Sequence, residues 1–192
     1  QAAKATGEGY LAGTIMHEIG HGLGPAYSRV YGKQMDIREA LGPVFGGIDE
    51  AKADVVGMWA LNWLVDKGVL TKERLQQYYA SYLAGNFRTL RFGAGEAHGQ
   101  AELMEFNWHL EHGGYNQESS GRYSVDYDKI AGSIASLVKE LLDIEATGDR
   151  VRAEALLKKY DAMPGHLTAA LEKVANVPVD LDPKFSFPDK IE

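Results

Sequence analysis

The chain has 192 residues, 45% of them hydrophobic, with 20 basic against 27 acidic side chains, a net charge of -7 and no cysteine. That length is enough to bury a core, as one domain or a domain with an appendage, and the acidic balance without a basic block argues against nucleic acid as a partner. The lack of cysteine excludes disulfides and thiolate metal sites and leaves histidine and carboxylate as the strong ligands.

Gly7 to Gly13 has one residue too many for a dinucleotide fingerprint and reads as the entry to a helix. Leu11, Ile15, Ile19 and Leu23 recur every four residues along that helix and predict a buried stripe, with Gly24 and Pro25 as its stop. His17 and His21 fall on roughly the opposite side. Histidines four apart on a helix stand one above the other, so both rings reach a single ion. Glu18, beside the first of them, is placed to act as a base, the arrangement in which zinc hydrolases take a proton from a metal-bound water. Because this helix lies so near residue 1, and the amino terminus shows neither an initiator Met nor a signal-peptide pattern, a fragment of a longer protein is expected.

Residues 25 to 47 are rich in glycine and read as a long irregular loop with a short helical turn near Asp36 to Leu41. A second long helix is predicted from Ile48 to Lys67, apolar nearly all round in its second half and therefore central. Its longest apolar run, Val55 to Val65, is broken by Asn62 and too short for a bilayer, so no membrane partner is expected; with no cysteine in the chain, the cytoplasm is the default compartment. Glu50 and Asp54 share one face near its start. Acids favour helix starts because of the dipole, so either residue alone has an ordinary explanation.

Thr71 is a candidate cap for a helix to about Phe92, with Leu75, Tyr78, Tyr79, Tyr82, Leu83, Phe87 and Leu90 at core spacing. A further helix runs from Glu96 to His112. On it Glu105, His109 and His112 share a face, a pattern read as at most an incidental metal site because the pair lacks an acid between and a buried setting. Tyr115 to Val125 is the one credible hairpin. Asp126 is a candidate cap for a helix ended by Gly148; Asp149 and Pro164 open two shorter helices, and a Pro-containing tail starts at Val177. His166 reads as a surface residue. The fold class expected is mostly α with at most one small β-hairpin, as a single domain over 1–192: a metal-binding core over 1–113, hairpin and packing helices over 114–175, and a tail over 176–192.

Two histidines leave zinc one protein ligand short of a catalytic set. A third histidine six residues after His21 would complete one pattern, but Tyr27 stands there and a neutral phenol is a poor ligand. A carboxylate from a neighbouring helix is the other route. Glu50 suits it, and Asp54, one turn on, then points the same way and is able to accept the second ring N–H of a ligand histidine.

The segment His17-Glu18-Ile19-Gly20-His21-Gly22-Leu23-Gly24-Pro25, followed by Asp49-Glu50-Ala51-Lys52-Ala53-Asp54, resembles the paired motifs of the dipeptidyl-peptidase III family of metallopeptidases. It is most similar to the branch found in bacteria and within certain plant Nudix proteins. The similarity continues through Trp59-Ala60-Leu61, Phe87-Arg88, Arg91-Phe92-Gly93, Glu96-Ala97-His98-Gly99 and Phe106-Asn107-Trp108. The resemblance implies a helical catalytic lobe in which His17, His21 and Glu50 bind one Zn2+ ion, Glu18 is the general base, Asp54 supports a ligand, and His98 contacts substrate or transition state. This chain departs from that pattern in having one residue fewer between the histidines and Asp49 in place of a glutamate. The family's amino-terminal lobe, which holds the substrate, has no counterpart in the chain and is an expected partner.

His98 also has a physical case of its own, in a glycine-rich helix entry that brings its ring toward a cleft. Arg88 and Arg91 are candidate substrate-binding residues, by bidentate contact with a peptide carboxylate. The expected activity is zinc-dependent hydrolysis of a peptide substrate. Three alternatives stay open: a non-catalytic helical module with a structural metal, a lobe inactive without its substrate-binding partner, and a non-haem iron enzyme using the same ligands.

Overall fold

In a computed structural model the protein is described over residues 1–178. Most of the tail expected over 176–192 lies outside the described residues. Eight α-helices and two short hairpins are described: α1 (Gly7–His21), β1 (Ser28–Val30), β2 (Lys33–Met35), α2 (Ile37–Leu41), α3 (Phe45–Asp66), α4 (Lys72–Leu90), α5 (Ala97–Glu111), β3 (Tyr115–Gln117), β4 (Tyr123–Val125), α6 (Ile130–Thr147), α7 (Arg150–Tyr160) and α8 (Gly165–Lys173). The fold is mostly α, and each pair of strands forms its own antiparallel ladder.

α3 is the axis of the molecule, touching α1, α4, α5, α6 and α7. Its Ile48, Ala51, Val55, Met58 and Leu61 are buried, joined by Leu103 and Phe106 of α5 and by Ile134, Leu137, Leu141 and Ile144 of α6. Side-chain caps start several of the surrounding helices. Thr71 accepts from the Arg74 N–H at α4 and Asp149 from the Arg152 N–H at α7. Gly148 ends α6 in the left-handed region at φ 64°. Asp126 caps less than expected. Its carboxylate accepts from the Asp128 N–H within the turn before α6, and the helix itself starts at Ile130.

Two expectations are corrected here. The stripe Leu11, Ile15, Ile19 and Leu23 is not buried: these four side chains are 43% to 58% exposed. α1 instead packs by its small residues. A Cβ on Gly20 would lie 2.4 Å from the Ala53 carbonyl oxygen, and one on Gly57 would lie 2.8 Å from the Met16 carbonyl carbon, so α1 and α3 cross backbone to backbone. That crossing turns the histidine face inward, which leaves the Leu/Ile face outside. The second correction lies between Pro25 and Gly47, where a hairpin precedes α2. Its turn residues, Tyr31 and Gly32, both have positive φ.

Candidate metal centre

The α1–α3 crossing sets the last two turns of α1 against the first turns of α3. His17 Nδ1 lies 2.8 Å from Asp54 Oδ1, and His21 Nδ1 lies 3.0 Å from Asp49 Oδ2. A carboxylate facing Nδ1 fixes the proton on that nitrogen, so each ring turns an unprotonated Nε2 the other way. The two Nε2 atoms are 3.0 Å apart, and they stand 3.3 Å (His17) and 3.6 Å (His21) from Glu50 Oε2. That oxygen is buried and has no hydrogen-bond partner among the described residues.

Lone pairs converging in this way repel unless positive charge sits among them. Zinc bonds of about 2.0–2.1 Å in a tetrahedron put ligand atoms roughly 3.3–3.4 Å apart, so the three donor separations fit such an ion. Asp54 raises the pKa of His17 by its hydrogen bond, burial opposes this, and the charges of Asp54, Glu50 and Glu18 add to the rise.

His98 reaches the same oxygen from α5. Its Nε2 is 3.1 Å from Glu50 Oε2, and its ring is stacked on His17 at 6.1 Å between centroids. Ligand atoms of His17, Glu50 and His98 all lie within 4.8 Å of one another. Two donor triads therefore share His17 and Glu50. The triad with His21 is the better organised, because both of its rings are pinned by carboxylates, whereas the His98 side chain is 67% exposed.

Two cavities flank the centre. One, of about 610 Å³, is lined by His21, Asp49, Glu50, Lys52, Arg38 and Phe45 among others. The other, of about 230 Å³, brings together His17, Glu18, Asp54, Arg88, His98 and Glu102. Glu18 is exposed on α1 and faces this second cavity. Arg88 stands over the Tyr10 ring at 5.8 Å. Arg91 does not join it. It lines neither cavity and donates to the Ala175 carbonyl at 2.9 Å, because the three-residue step carries it past the end of α4 toward the segment after α8.

Behind Asp54 lies a buried polar cluster. The Tyr82 hydroxyl donates to Glu105 Oε2 at 2.6 Å, and His109 Nδ1 lies 2.8 Å from Ser133 Oγ. Burial and the Asp54 charge hold the Glu105 carboxyl far above its ordinary range, and burial lowers His109 to about 3. Glu105 and His109 thus have the buried setting that their sequence pattern did not disclose, while His112 is exposed and stacks on Trp108. His166 is hydrogen-bonded to the Tyr123 hydroxyl.

Asp49 is one residue beside the centre that sequence reasoning missed. It appeared only as a departure from a motif, although its place just before Glu50 on α3 turns it toward α1.

No family model matches the sequence. Nudix hydrolase 3 of Arabidopsis thaliana is 41% identical over 181 residues, which is 93% of this chain and 23% of that protein. Among solved structures, dipeptidyl-peptidase III from Caldithrix abyssi superposes with a TM-score of 0.92 at 36% identity, over 97% of this chain and 36% of that one. Dipeptidyl-peptidase III from Corallococcus sp. strain EGB gives 0.90 at 41% identity, over 95% of this chain and 34% of that one. The chain thus spans between about a quarter and about a third of the length of these relatives, and over that span it shares the fold of part of a dipeptidyl-peptidase III.

Proposed function

We propose that this chain is the metal-binding catalytic portion of a zinc-dependent peptidase of the dipeptidyl-peptidase III family, in the branch that includes plant Nudix proteins. The observation that carries the reading is the convergence of His17 Nε2 and His21 Nε2 on the orphaned Glu50 Oε2. The likeness in fold and sequence to two dipeptidyl-peptidases III supports it.

His17, His21 and Glu50 would hold the ion, and Asp54 and Asp49 would orient its two imidazoles. A zinc ion held by these three side chains would supply Lewis acidity, lowering the pKa of a bound water to about 7 and polarising a carbonyl group. Glu18 takes the proton of the attacking water and returns it to the leaving amine. Its exposed carboxylate faces the smaller cavity, where a peptide bond has room to lie beside it. His98 lines the same cavity and donates to the oxygen on which negative charge develops. Arg88 holds a carboxylate of the peptide. The peptide is gripped between this portion and a further lobe supplied by the rest of a longer polypeptide.

The test is metal analysis of chain purified without added metal, followed by peptide hydrolysis with and without the rest of a full-length relative. We expect one zinc per chain. Glu18→Gln is expected to retain that zinc and lose roughly 10²–10⁴-fold in turnover. Absence of bound zinc, or full activity in the variant, overturns the reading.

One observation favours a second reading. His98 Nε2 at 3.1 Å from Glu50 Oε2 is close enough to be a fourth donor, and a closed four-donor site is structural rather than catalytic.

A further inference from the structure

Lys52 is 2% exposed, in the middle of the residues that build the metal centre. A buried ammonium is stable only where its charge is paired and its hydrogens are bonded. Its partners all belong to one place. Nζ donates to the carbonyl oxygens of Gly20 at 3.2 Å, His21 at 3.2 Å and Leu23 at 3.3 Å, and pairs with Asp49 Oδ1 at 2.9 Å. These carbonyls lie in the last turn of α1 and the two residues that follow it, so the cation ties down the end of the helix that carries His21.

The other oxygen of Asp49 faces His21 Nδ1 at 3.0 Å. A continuous chain therefore runs from ammonium to carboxylate to imidazole. Glu145 of α6 is buried 3.9 Å from Nζ, and burial pushes its carboxyl up to about 7 while the Lys52 charge opposes the rise. The carboxylate facing His17, Asp54, lies against the Glu105 and Tyr82 cluster.

We propose that Lys52 is a positioning residue of the metal centre, fixing the Asp49 carboxylate and the end of α1 so that His21 Nε2 is held toward the ion. The inference rests on the metal reading above and adds to it a residue outside the ligand set. A cation that merely capped a helix would serve with any neighbouring acid. Here the acid it holds is the one that sets the tautomer of a ligand.

The test is zinc affinity, by competition with a chromophoric chelator, alongside the thermal melting of metal-free chain. Lys52→Met keeps the side chain as far as Cε and removes the ammonium. Asp49→Asn keeps the shape of the acid and leaves the three carbonyl bonds of Lys52 in place. Each is expected to weaken zinc binding by roughly 10–100-fold, the range for partners that orient a ligand histidine. The double variant is expected to lose less than the product of the two, because both act on one imidazole.

Wild-type affinity in Lys52→Met, or losses that multiply in the double variant, overturn the proposal. If Lys52→Met fails to fold, Asp49→Asn still decides: unchanged affinity there means that the chain from Lys52 through Asp49 carries nothing to the metal. A wild-type chain that binds no zinc defeats the metal reading and this inference together. A wild-type chain that binds zinc beside variants that match it defeats this inference alone.

Discussion

His98 is the residue on which the two readings of the centre divide. As a fourth ligand it would contribute directly to holding the ion; as a donor to substrate it would contribute nothing until a peptide arrives. Its 67% exposed side chain, on the first turn of α5, favours the second role, since a ligand ring is normally fixed through its other nitrogen. His98→Ala is therefore expected to change zinc affinity by less than about threefold while lowering peptide hydrolysis by roughly 10²–10³-fold, the size of effect seen when one oxyanion donor is removed. Chelator competition and steady-state kinetics on the same preparation check both halves, and a large loss of zinc would make His98 a ligand. His17, Glu18 and His21 were legible because one helix sets their spacing, and Glu50 and Asp54 because zinc needs a third ligand and a ligand histidine an acceptor. Asp49 and Lys52 were not, because what they do depends on how two helices cross.

Helix boundaries follow from local chemistry, and here they are near those the sequence implies: α4 after its Thr71 cap, α6 up to Gly148, α7 after Asp149. The inward face of a helix is a different matter. For α1 the apolar period pointed one way, and the close contact of Gly20 with Ala53, together with the pull of Asp49 and Asp54 on the histidines, settled it the other way. The β1–β2 hairpin was hidden because its turn places Tyr31, rather than Asn or Asp, in the left-handed region. α5 carries its own consequence of burial. His109 is held neutral, with its pKa lowered from 6.5 to about 3, so the stability it contributes is fully present above pH 6.5 and is lost as pH falls toward 3. Each proton taken up on unfolding costs about 1.4 kcal/mol per pH unit across that window. His109→Gln cannot take up that proton. Denaturant unfolding of metal-free chain between pH 4 and 7 should show a shallower acid limb for the variant than for the wild type; parallel curves would mean that His109 titrates normally in the folded protein.

At the scale of the whole molecule, α1 turns an apolar face outward. Leu11, Ile15, Ile19 and Leu23 form one row along that helix, and α3 adds Trp59 at 43% and Trp63 at 46% exposure. Large apolar side chains exposed in this number mark places where protein packs on protein, or a liability when nothing does. The relatives that share this fold are roughly three to four times as long, so further polypeptide is the occupant expected for it. The isolated chain should then bind a hydrophobic dye and self-associate with rising concentration. Ile15→Ser combined with Ile19→Ser is expected to suppress both while leaving zinc affinity unchanged, since neither side chain faces the ligands. In a full-length relative the equivalent change should instead destabilise, by roughly 1–3 kcal/mol for each isoleucine taken out of a covered interface. Opposite signs in the two settings would show that the equivalent face is an internal seam of the full-length relative. Equal and negligible effects in both would show that it is ordinary exposed surface.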